Sequence, residues 1–104
     1  MPDIQRHALD ECDEDIAELY LKTASKQLKE MDIAASSKSM PEVQRLAHSL
    51  SGASAFLGLK EMAKLLCELE QAASQGQSKE ANRFIGLLKE EFDHVQHDYS
   101  RQGS

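Results

Sequence analysis

Tryptophan is absent from this 104-residue chain, and only two tyrosines and three phenylalanines supply aromatic surface. So few aromatic rings cannot build the stacking platforms that hold single-stranded nucleic acid. Basic residues are also outnumbered: 12 lysines and arginines stand against 18 aspartates and glutamates, a formal net charge of -6. Such a field repels phosphate backbones and anionic lipid, so no nucleic-acid partner is expected. The two cysteines, Cys12 and Cys67, are too few and too far apart for a disulfide framework or a CxxC site. They read as small apolar side chains kept reduced. No apolar run approaches the roughly 20 residues that cross a bilayer. The opening Met1-Pro2-Asp3-Ile4-Gln5-Arg6 lacks the apolar core of a signal peptide, so a cytoplasmic location without membrane insertion is the expectation.

What is present is helix. Only two prolines and five glycines interrupt the chain, and 40% of its residues are hydrophobic at helical spacing. Ile16, Leu19, Tyr20, Thr23, Ala24, Gln27, Leu28, Met31 and Ala35 predict a first helix over residues 13–36, opened by acidic residues that suit a helix N-terminus. Ser39-Met40-Pro41-Glu42 has capping-box spacing with Pro in the first turn and starts a second helix, which Gly58 closes. Leu59, Met62, Ala63, Leu65, Leu66, Leu69, Ala72 and Ala73 give a third helix to about Ser74. After the turn Ser74-Gln75-Gly76-Gln77-Ser78, Ser78 caps a fourth with Phe84, Ile85, Leu88, Phe92, Val95 and Tyr99 on one face.

Four amphipathic helices joined by short turns predict an all-α fold: a single domain over 1–104, built as an antiparallel up-and-down four-helix bundle. Ile4, Ala8 and Leu9 suggest a short helix within segment 1–12 covering one end, and 101–104 reads as a flexible tail. One apolar stripe per helix, each buried internally, makes a monomer the plain expectation.

The second helix carries an anomaly. Val43, Leu46, Ala47, Leu50, Ala53, Ser54 and Leu57 share a face, and His48 points away from it with Arg45, Gly52 and Ala55. Glycine inside an exposed helix costs about 1 kcal/mol against alanine, so Gly52 asks for a reason. A small residue one turn after an outward imidazole leaves room for another molecule to reach it. Other groups offer less. His94, His97 and Asp98 have metal-compatible spacing but suit a helix C-terminus equally well, and no ligand pair stands on another helix. No metal is predicted. Ser49, Ser51 and Ser54 lack the elbow and ordered acid that a serine nucleophile needs. No phosphate-binding glycine loop is present, so the chain is not expected to draw phosphate from ATP.

The run from Ala47 to Leu59, His48-Ser49-Leu50-Ser51-Gly52-Ala53-Ser54-Ala55-Phe56-Leu57-Gly58 at its centre, with Leu69-Glu70 downstream, resembles histidine-containing phosphotransfer (HPt) domains of bacterial multistep phosphorelays. The family pattern is a histidine, any residue, an apolar residue, usually lysine, and then glycine. The resemblance implies that His48 accepts a phosphoryl group from the aspartate of a receiver domain, in a response regulator or a hybrid sensor kinase, and passes it to another. It implies no resident cofactor, with Mg2+ held by the partner receiver. Glu70 falls where the family places a Gln or Glu that fixes the imidazole tautomer. Ser51 departs from the usual lysine, leaving Gln44, Arg45, Lys60 or Lys64 to compensate the phosphoryl charge. Docking is expected on the surface around Ser51, Gly52, Ala55 and Leu59. The rival reading is a helical adaptor that docks a receiver or kinase without efficient transfer.

Overall fold

The computed structural model describes residues 14–102. They form four helices, α1 Glu14–Ser36, α2 Met40–Phe56, α3 Lys60–Ser74 and α4 Ser78–Gln102, with no strand among the described residues. Each helix packs on its sequence neighbour and α4 closes against α1, with α2 and α3 in the most extensive contact. Three-residue connections force each helix to run back along the last, which gives the antiparallel bundle. Segment 1–12, with the short helix expected there, His7 and Cys12, lies outside the described residues. α4 runs on to Gln102, two residues into the stretch read as a tail.

The first three helices end in the same way. After α2, the Gly58 amide donates to the Ala55 carbonyl and the Leu59 amide to the Ser54 carbonyl, a Schellman closure in which Gly58 takes φ 76°. Gly76 repeats it after α3, where the Gly76 and Gln77 amides reach Ala73 and Ala72. After α1 the same bonds run from Lys38 to Ala35 and from Ser39 to Ala34, but the left-handed residue is Lys38, at φ 61°. A side chain there is strained where glycine would not be.

Two sequence expectations about α2 need correction. Ser39 precedes the helix and Pro41 stands in its first turn, yet no capping side-chain hydrogen bond forms. The Glu42 carboxylate that a capping box would turn back toward Ser39 is bonded to Arg45 one turn on. Ala53, counted in the buried stripe, is exposed.

The core runs the length of the bundle, with Met31, Val43, Leu46, Leu50, Met62, Leu66, Leu69 and Leu88 almost fully buried. One polar link crosses it. Ser54 is completely buried and its hydroxyl pairs with the Tyr20 hydroxyl at 2.7 Å, tying α2 to α1. Burial lifts the Tyr20 pKa to about 12 against the lowering effect of that bond. α1 departs from its predicted face. Ala17, Tyr20, Ala24, Leu28, Met31, Ala34 and Ala35 are the buried positions, whereas Ile16, Leu19 and Thr23 are exposed.

Candidate functional site

α2 presents His48 outward because Ala47 just before it and Leu50 two residues on, both on the inner face, are committed to the core. The His48 side chain is 78% exposed. Its ring is nonetheless held. α3 returns antiparallel beside α2 and brings Glu70 alongside, with His48 Nδ1 and Glu70 Oε2 3.0 Å apart. An ionised carboxylate can only accept, so Nδ1 carries the hydrogen and donates it. The Nε2 lone pair is then left free on the solvent side. Glu70 is itself shielded, with 29% of its side chain exposed.

One helical turn along, Gly52 leaves the approach to the imidazole open. A Cβ built on Gly52 meets nothing within 4 Å, so no internal packing demands glycine here. Ala55, a further turn on, is also exposed. Ser51 is half-buried at the α2–α3 seam, where its hydroxyl lies 3.4 Å from the Cys67 Sγ. Cys67 is exposed, and no feature of the sequence singled it out beyond a small apolar residue. Its pairing with Ser51 could not be foreseen either, because it depends on the register of α3 against α2.

The four side chains that could supply positive or polar character differ in placement. Arg45, one turn before His48, engages both oxygens of Glu42: Nε donates to Oε1 at 3.1 Å and Nη2 to Oε2. Those bonds hold the Glu42 carboxyl below the usual carboxylate range and raise the pKa of Arg45. Gln44 is half-buried and uncharged. On α3, Lys60 lies ten residues from Glu70, about 15 Å along the axis, and Lys64 is turned about 120° from Glu70 around the helix. Neither lysine shares a face and level with His48. Leu59 was expected in the docking surface, but it is 5% exposed and belongs to the core. Its place follows from the Schellman closure, which folds the chain inward just after Gly58.

A larger apolar feature lies on the other flank of α2. Phe56 is 84% exposed, and with Ser49, Leu50 and Ala53 of α2 and Leu57 just after that helix, it faces Ile16, Leu19, Tyr20, Thr23 and Gln27 of α1 across a groove of about 230 Å³. Ile16 and Leu19, which the α1 periodicity assigned to the core, thus line an open groove that reaches Ser49, the residue after His48. Among the described residues no group of three or more metal-ligating side chains gathers. His94 stands 3.8 Å from Glu91, and His97 faces solvent near Asp93.

The described residues thus form a helical bundle that displays an exposed imidazole, His48, oriented by a carboxylate of the neighbouring helix. The chain matches the Hpt domain family model over residues 8–98, so it belongs to that family. Hpt domains are phosphocarrier modules that exchange phosphoryl groups with receiver domains of response regulators in phosphorelay signalling, and this chain is a histidine phosphotransfer domain of that kind. Neither curated proteins nor solved structures give a match to it. No helix among the described residues is long and apolar enough to cross a membrane.

Proposed function

We propose that His48 is the phosphoryl acceptor and that Nε2 is the reacting atom. The observation that carries this reading is the bond from Nδ1 to Glu70, which leaves Nε2 as the free nucleophile on an exposed ring. The Nε2 lone pair attacks the phosphorus of a receiver's aspartyl phosphate. A P–N bond forms, the acyl P–O bond breaks, and the aspartate leaves as its carboxylate. Because Nδ1 keeps its hydrogen, the ring becomes cationic as Nε2 acquires the phosphoryl group. Glu70 balances that charge and holds the ring in place. In the onward step the charged ring is a good leaving group, and the phosphoryl passes to another carboxylate with the same bonds made and broken in reverse.

Glu70 therefore acts as a positioning residue, whereas Gly52 and Ala55 give the partner's loops a close approach. The apolar groove of Ile16, Leu19 and Phe56 adjoins this face and supplies burial area for the receiver. The Mg2+ that balances phosphoryl charge belongs in this reading to the receiver, and the working unit is a monomer in the cytoplasm.

The test is to incubate the protein with a phosphorylated receiver and follow the label. Wild type gains an acid-labile, base-stable phosphoryl adduct and His48→Gln gains none. An adduct of equal yield on His48→Gln would sink the assignment. A protein that binds the phosphorylated receiver without gaining label would be the adaptor of the rival reading.

A further inference from the structure

The phosphoryl group that His48 would carry brings up to two negative charges next to Glu70, and Ser51 beside it offers a hydroxyl without charge. Of the cations near this face, Arg45 is the one on the same helix and the same outward side, three residues before His48 and so about 4.5 Å along the axis. Its guanidinium is not anchored in the core. The side chain is 66% exposed and its partner Glu42, at 43%, is a surface carboxylate on the same helix. A pair of that kind exchanges readily for a better partner. A phosphoryl dianion is a better partner, because its oxygens accept the planar fork with more charge than a carboxylate holds.

We propose that Arg45 is a phosphoryl-binding residue held in waiting by Glu42: it bonds Glu42 while His48 is bare and turns to the phosphoryl oxygens once Nε2 is modified. This rests on His48 being the acceptor. The exchange makes and breaks hydrogen bonds only, with no proton transferred. It places the neutralising cation one turn before the histidine, on the side opposite to Ser51 along α2. Glu42 thereby sets how strongly the chain itself retains the phosphoryl group. Glu30 also faces Arg45 from α1, so both helices contribute to the negative field the guanidinium leaves.

The experiment charges the full chain with potassium phosphoramidate and follows the phosphorus resonance of the protein-bound group from about pH 5.5 to 8.5. Alongside it, the Arg45 Nε–H resonance is compared before and after phosphorylation. In wild type the midpoint of the phosphorus resonance against pH, set by the proton on the phosphorylated ring, lies lower than in Arg45→Ala, by about half a pH unit for an exposed pair. Arg45→Lys recovers part of the difference. Glu42→Gln lowers the midpoint further, and that effect shrinks in an Arg45→Ala background because the two residues act through one contact. Adding Ser51→Lys to Arg45→Ala brings the midpoint back down by restoring a cation from the other side. All three substituted side chains are at least partly exposed on the surface of α2, and thermal unfolding confirms the fold of each variant. An unchanged midpoint in Arg45→Ala, with an Arg45 Nε–H resonance indifferent to phosphorylation, overturns the proposal. Absence of any adduct on His48 overturns instead the acceptor assignment beneath it.

Discussion

Replacing Gly52 with alanine separates what the fold requires of this position from what the partner requires. Gly52 lies in the middle of α2, a 17-residue helix, where glycine costs more backbone entropy than any other residue. The added methyl meets no atom within 4 Å, so no steric penalty offsets the gain in helix propensity. Gly52→Ala should therefore stabilise the domain by about 0.8–1 kcal/mol. For a chain of this length that is roughly 4–8 °C in Tm, readable by circular dichroism or calorimetry. The same methyl stands one turn from His48 on the approach side. Transfer from a phosphorylated receiver should slow, and a longer side chain in Gly52→Gln should slow it further while leaving the fold intact. A stabilised variant with reduced transfer is the signature of a glycine kept for access. Loss of stability in Gly52→Ala would refute the reasoning, because it would mean that α2 packs against something at this position. Unchanged transfer in Gly52→Gln would refute the approach route.

Three further outcomes follow from particular contacts. Lys38→Gly removes a side chain from a left-handed position at φ 61° and should raise stability by about 1 kcal/mol in denaturant titration, the relief of strain outweighing the freer unfolded chain. Tyr20, with its pKa lifted from 10.0 to about 12, holds its proton in the folded state while the unfolded state loses it, so stability should be intact below pH 10 and fall by about 2–3 kcal/mol between pH 10 and 12. Tyr20→Phe should flatten that fall, and a wild-type unfolding curve independent of pH across the window would contradict it. Glu70→Ala should slow transfer roughly tenfold through loss of one charge-assisted hydrogen bond, whereas Glu70→Gln keeps an acceptor for Nδ1 and should retain Nε2 as the reacting atom at a reduced rate; competition assays with a labelled receiver measure both.

The bundle was legible because large apolar side chains recur at helical spacing in α3 and α4, and glycines mark two of the three turns. The buried face of α1 was misjudged at Ile16, Leu19 and Thr23 for a physical reason. Its buried line mixes Tyr20, Leu28 and Met31 with alanines at 17, 24, 34 and 35, while isoleucine and leucine at 16 and 19 stay outside. Size-weighted periodicity turns the face toward the larger residues, and here the larger residues line a surface groove. The turn at Lys38 shows the same limit, since nothing in a lysine announces a left-handed conformation. In the site, the outward direction of His48 and the openness at Gly52 follow from the period of α2 alone. The Glu70 contact does not. It depends on how far α3 slides along α2, which the closure at Gly58 and Leu59 sets and which no spacing within one helix encodes. The same register brings Cys67 to Ser51 and carries Lys64 round α3 away from the histidine.

The central claim is that the nitrogen left free by Glu70 is the one that takes the phosphoryl group. Nitrogen-15 labelling of the histidines, followed by phosphorylation and measurement of phosphorus–nitrogen coupling, assigns the modified atom. Coupling at His48 Nε2, with the Nδ1 hydrogen retained, is the predicted result. Coupling at Nδ1, or at His94 or His97 with His48 unmodified, would contradict it.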